Sequence, residues 1–220
     1  MGGQLPARTA VRQYDRPMTR PIGASPRGTV RTGDTPAPVP WERVTSEHVE
    51  ELPLFRPRVD GMRNPRTGQV LQRLVLEAPD WVNVVAVTPE RRLVCVRQFR
   101  FGTAAVELEI PAGIVDQGES HLEAARRELR EETGYTSGDW SYLGVTAPNP
   151  AFLDNNCHHW LAGEATFTGG VDLDAGEDIT VETVPLDDVP RLVAEGALRH
   201  ALVLSALGRV LDLRPPATGG

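Results

Sequence analysis

Residues 113–135 read GIVDQGESHLEAARRELREETGY, and this stretch decides the fold. Ser120 followed by Glu123 is a capping box, which predicts a helix beginning at about His121. Leu122, Ala125 and Leu129 follow at helical spacing and are expected to face a core. Glu128, Glu131 and Glu132 stand at i, i+3 and i+4 and share the opposite flank. At about 100° per residue they fall within an arc of roughly 100°. Carboxylates this close repel one another and take raised pKa values unless a cation sits among them. A hard divalent ion with oxygen ligands, Mg²⁺ or Mn²⁺, is the natural occupant. Gly134 then ends the helix. Glu119, Glu123, Arg127 and Glu131 would also suit a solvated surface ladder of ion pairs. The fixed Gly113, Glu119, Arg127 and Gly134 around the acids weigh for a built site instead.

Outward from the helix, composition sets bounds. The chain has 220 residues, 40% of them hydrophobic, enough for one domain plus extensions. Its formal charge is −7. Residues 1–40 carry six Arg against two acidic residues, so the remainder stands at −11. An acidic body argues against duplex nucleic acid as the main ligand. All 23 basic residues are Arg. Cys95 and Cys157 lack CxxC spacing and support neither a disulfide framework nor a zinc site. Buried free thiols and a cytoplasmic location are expected. No signal peptide and no membrane span are read from the sequence.

Residues 1–40 hold seven Pro without apolar periodicity and read as a flexible arm. Residues 52–62 and 69–77 read as two strands joined by a turn at 64–68. Residues 81–88 (WVNVVAVT) and 93–99 (LVCVRQF) read as buried strands around a Pro89-Glu90 turn. Residues 106–110, 140–146, 157–165 and 179–185 supply further strands, and 147–156 a loop. Residue 186 opens one helix, residues 199–213 form a second, and 214–220 are a loose tail. This order suits an α+β sandwich, a central mixed sheet with helices on both sides.

As spacings, the deciding stretch is Gly113, five residues, Glu119, seven residues, Arg127-Glu128-Leu129, one residue, Glu131-Glu132, one residue, Gly134 and Tyr135. It resembles the signature of the Nudix hydrolases, which cleave nucleoside diphosphates linked to another group; no specified position is missing. Arg97-Gln98-Phe99-Arg100 with residues 107–113 (ELEIPAG) is similar to the ADP-ribose pyrophosphatase branch, and Pro150 matches that branch as well. The stretch 148–159, PNPAFLDNNCHH, looks closer to relatives acting on nucleoside diphosphate sugars such as GDP-mannose. The similarity covers about residues 50–195.

The resemblance implies a Nudix-type α/β/α sandwich over 81–213, with an N-terminal β extension over 41–80 that contributes to a homodimer. It implies an Mg²⁺-dependent enzyme that splits a diphosphate into a nucleoside monophosphate and a sugar phosphate, with Mn²⁺ as a second candidate. Glu128 and Glu132 resemble the chief metal ligands, with Glu131 assisting and the Ala112 carbonyl adding a further donor. Arg127 resembles the arginine that pairs with Glu119 and orients the acids. Glu177 best matches a loop glutamate that serves as ligand or base. The neighbouring acid that some relatives use as base is Ala175 here, which leaves Glu131, Glu177 or Asp174 for that role. Candidate substrate contacts are Arg97, Arg100, Glu109, Pro150, Phe152 and Asn155. Forked guanidinium donors suit phosphate oxygens. Phe99 and Phe152 could stack on a base or pack in a core, and Asn155 and Asn156 could bond sugar hydroxyls or turn the chain. His158 and His159 read as structural. Two other functions stand beside this one: hydrolysis of another nucleotide class (dinucleoside polyphosphate, nucleoside triphosphate or coenzyme A), or ADP-ribose sensing without catalysis. The intact box acids disfavour the second.

Overall fold

The computed structural model describes residues 30–31, 52–63, 69–173, 176 and 178–214. Most of the 1–40 arm, residues 64–68 and the tail beyond residue 214 lie outside these. In chain order the elements are β1 (Val30–Arg31), β2 (Arg56–Arg63), β3 (Val70–Glu77), β4 (Trp81–Ala86), β5 (Arg92–Arg100), β6 (Ala105–Glu109) and β7 (Ala112–Ile114). Helix α1 (His121–Thr133) follows, then β8 (Tyr135–Thr136), β9 (Asp139–Thr146), β10 (Cys157–Gly163), β11 (Thr166–Phe167) and β12 (Ile179–Pro185). A 3₁₀ turn, Leu186–Asp188, leads into α2 (Val189–Ala194) and then α3 (Ala201–Leu207).

The α+β architecture is as expected, and its central layer divides into two four-stranded sheets. The first, β1-β12-β5-β6, is antiparallel throughout; the second, β7-β4-β10-β9, is mixed, with β10 parallel to β4. β4 and β5 meet through the single bridge Val87–Leu93. Beyond it β4 and β5 belong to different sheets, and a cavity lies between them at Trp81 and Arg100. Hairpin β2-β3 extends the fold, with Val59 opposite Leu74. β1, within the stretch 1–40 read as an arm, pairs Val30 with Thr183 on β12.

Period-two alternation divides the core. Val82, Val84, Ala86 and Val94 pack with Ala124, Ala125 and Leu129 of α1. Val85, Leu93 and Cys95 face the other way, against Val189 and Leu192 of α2 and Val203, Ala206 and Leu207 of α3. Helices thus cover both faces, as the pattern implied. The last helix is shorter than the expected 199–213, because the chain turns at 208–210 directly after Leu207. Cys95 and Cys157 are buried free thiols, as expected. No helix among the described residues is long and apolar enough to cross a membrane.

Candidate active site

Helix α1 begins and ends where its sequence dictates. Ser120 accepts from the Glu123 N–H while Glu123 returns a bond to the Ser120 N–H, a reciprocal cap worth about 1 kcal/mol. Gly134 closes the helix at φ 72°, a left-handed conformation that side chains resist, and its N–H donates to the Arg130 carbonyl.

Strand β7 brings the backbone to the helix. Ala112 stands opposite Asn83, between the bonds Val84 N–H to Pro111 O and Val115 N–H to Asp80 O. This is the non-bonded alternation of an antiparallel pair, so the Ala112 N–H and carbonyl point away from β4. The N–H donates to Glu132 Oε2 at 3.0 Å. At Gly113 a Cβ would lie 1.9 Å from Glu128 Oε1, so only glycine leaves room for that carboxylate. Glu128 and Glu132 are both buried.

Arg127 ties the acids together. Its Nε and Nη2 donate to the two oxygens of Glu119, each at 3.0 Å, and Nη2 also reaches the Ile114 carbonyl at 2.9 Å. Its Nη1 donates to Glu128 Oε1 at 2.8 Å and to Glu131 Oε2 at 3.4 Å. These bonds, that to Glu119 foremost, raise the arginine's pKa above its ordinary value, and the same guanidinium lowers that of Glu119. Arg127 therefore supplies positive charge among the box carboxylates. Among the described residues no three His, Cys, Asp or Glu side chains form a ready metal-ligating group. Glu128 is turned to Arg127 and Glu132 to the Ala112 N–H. The donor chemistry still fits a hard divalent cation: buried carboxylates one helical turn apart, a backbone carbonyl on a free strand edge, and a glycine that admits the approach. Glu177, Asp174 and Ala175 lie outside the described residues.

The remaining expected contacts divide into two places. Arg100 and Glu109 meet in a two-pronged ion pair at 2.9 and 2.8 Å, with Glu109 buried. They line a cavity of about 320 Å³ at the open end between the sheets, together with Ala112, Gly113, Trp81, Asn83 and His200. Arg97 is directed elsewhere: its Nη2 lies 2.8 Å from Glu182 Oε1 on β12, yet that oxygen has no aligned hydrogen bond, so the contact is an ion pair alone. Phe99 is a core side chain. Loop 147–156 is tied to the end of β3, where the Phe152 carbonyl accepts from the Leu76 N–H at 2.7 Å. Asn155 is buried and donates to the Pro79 carbonyl at 2.8 Å. Pro150 and Phe152 are exposed, and neither they nor Asn155 line the cavity. His158 stacks on His121 at 4.3 Å, and buried His159 bonds Thr146, both structural contacts as read. The cavity residues Asn83, Trp81 and His200 were not singled out from sequence. The legible signal was Asn83, a lone amide in the apolar run 81–88.

Residues 79–207 match the family described as NUDIX domain. An ADP-ribose pyrophosphatase of Mycobacterium tuberculosis is 31% identical over 182 residues, covering 81% of this chain and 86% of that protein. An ADP-ribose pyrophosphatase of Bacillus subtilis is 36% identical over 127 residues, 57% of this chain and 69% of that protein. The methanol dehydrogenase activator of Bacillus methanolicus is 32% identical over 155 residues, 70% and 80% of the two chains. A crystal structure of an ADP compounds hydrolase shares the fold, with a TM-score of 0.66 at 24% identity over 81% of this chain and 95% of that one.

Proposed function

This chain belongs to the NUDIX domain family and is a hydrolase of phosphorus-containing anhydrides; on that premise we propose that it is an Mg²⁺-dependent ADP-ribose pyrophosphatase. ADP-ribose would be split to AMP and ribose 5-phosphate, with other nucleoside diphosphate sugars as the wider substrate class. The observation that carries the reading is the meeting of Glu132 with the Ala112 N–H and of Glu128 with Gly113. This supports the reading, because a cation held at that backbone edge would find the box carboxylates beside it.

Glu128, Glu132 and the Ala112 carbonyl would hold the ion, with Glu131 and Glu177 as further donors. When bound, a divalent ion neutralises the diphosphate and acidifies water. The chain's own residues do the rest. Arg127 fixes Glu128 and Glu131 through its grip on Glu119. Glu131, only partly buried, would take the proton of attacking water, with Glu177 and Asp174 as the other candidates for that role. The cavity beside Ala112 takes one half of the substrate.

The exposed apolar face of hairpin β2-β3, with Val59 63% and Leu74 51% exposed, serves a homodimer in this reading. A cytoplasmic setting accords with the two buried free thiols. A panel of diphosphate-linked nucleosides incubated with Mg²⁺, with products read by mass, tests the reading. It expects AMP and ribose 5-phosphate from ADP-ribose; cleavage restricted to nucleoside triphosphates or coenzyme A would replace it with another branch of the family.

A further inference from the structure

Strand β4 is apolar from Trp81 to Ala86 except at Asn83. That residue is 3% exposed, and its amide nitrogen is enclosed without a hydrogen-bond partner. An unsatisfied buried donor costs about 1–3 kcal/mol. Where such a group lines a cavity, a ligand acceptor can remove that cost. Asn83 does line the 320 Å³ cavity between the sheets. It stands opposite Ala112 in the β4-β7 register, and its side chain shares the β4 face of Val85, turned toward α3, where Ala112 lines the same cavity.

The character of the walls identifies the ligand group. Leu54, Trp81, Val82, Ile114 and Leu202 give the cavity apolar surfaces. Arg100 and Glu109 engage one another through both prongs. A sugar ring needs polar partners around its whole rim. A nucleobase needs flat apolar contact and a few hydrogen bonds at one edge. Resting on the pyrophosphatase reading above, we propose that this cavity receives the nucleobase of the substrate. Asn83 bonds the base edge, its amide nitrogen donating to a ring nitrogen or carbonyl oxygen, and so sets base preference.

The test compares wild type with Asn83→Asp, which keeps the shape and exchanges the donor nitrogen for an acceptor oxygen. Asn83→Ser is the second variant, should the added carboxylate disturb folding. Binding of AMP, GMP, CMP, UMP and ribose 5-phosphate is measured by calorimetry, with circular dichroism confirming each fold. The expected result is a change in the ranking of the four nucleotides by about tenfold or more, with ribose 5-phosphate unchanged. Nucleotides weakened equally, ribose 5-phosphate alone affected, or no nucleotide bound by wild type would each overturn the assignment. The readout is separate from turnover. Wild-type hydrolysis of ADP-ribose with an unmoved base ranking defeats only this inference. Base-dependent binding without hydrolysis defeats only the pyrophosphatase reading.

Discussion

Arg127 and Glu119 face each other as matched forks, Nε to Oε1 and Nη2 to Oε2, both at 3.0 Å. The pair spans from the loop before α1 to the helix's second turn, and the arginine's third nitrogen holds Glu128. Arg127→Lys keeps the charge and loses the fork. It is expected to cost about 1–3 kcal/mol of stability and to lower kcat about 10- to 100-fold, because Glu128 loses its fixed neighbour. Steady-state kinetics beside urea melts check this; an unchanged kcat would remove the orienting role.

The same pair sets an acid limit. Arg127 holds the Glu119 pKa below its ordinary value. Its contribution to stability is therefore complete above about pH 4.3 and is lost as pH falls through the lower folded value. Glu119→Gln is expected to be less stable at pH 7 and to lose less on acidification. Parallel acid-induced slopes for the two proteins would contradict the linkage.

Gly113→Ala places a methyl group where Glu128 Oε1 now sits. The obstructed atom is the end of a flexible side chain, so Glu128 swings aside and the fold survives. Activity is expected to fall about 10- to 100-fold with little change in melting temperature. A variant that unfolds, or one that works normally, would show that the close approach has another meaning.

His159 is fully buried, and burial, aided by the Arg209 charge, pushes its pKa down to about 4. The unfolded chain binds a proton at about pH 6.5 and the folded chain does not, so folding loses stability between pH 6.5 and 4. The loss at full extent is at most about 3 kcal/mol. Denaturant melts at pH 7 and pH 4.5 should show a smaller pH decrement in His159→Gln than in wild type.

Val59 and Leu74 are cross-strand partners on the exposed face of hairpin β2-β3. Val59→Asp with Leu74→Arg is expected to convert a dimer to a monomer in light scattering. A wild-type mass of one chain at assay concentration would count against the interface.

The box helix was legible in the sequence to the residue, because Ser120, Glu123 and Gly134 act through local hydrogen bonds and backbone conformation. The longer strands were legible through alternation and turns, whereas the short β1, β7, β8 and β11 were not, being too brief to show a period. The splitting of the sheet was not. It depends on β4 and β5 meeting only at Val87–Leu93, a tertiary event with no local mark. Among candidate contacts, Arg100 and Glu109 fall at the cavity, but side-chain type alone could not reveal that each is the other's partner. For Asn155 the sequence left a sugar contact and a turn role side by side, because only the folded chain shows its amide donating to the Pro79 carbonyl. Asn83 carried a readable sign, a polar group within a buried run, whose cavity appears only once the sheets have diverged.

The central claim is that buried carboxylates on α1 serve a divalent cation in diphosphate cleavage. ADP-ribose turnover with Mg²⁺, followed by product mass in wild type and Glu132→Gln, tests it most directly. Glutamine keeps an oxygen for the Ala112 N–H, so the variant should fold while removing one charged ligand. The expected result is AMP and ribose 5-phosphate from wild type, silenced by chelator, and a rate at least about 100-fold lower in the variant. Equal rates in the two proteins, or turnover that persists in excess chelator, would contradict it.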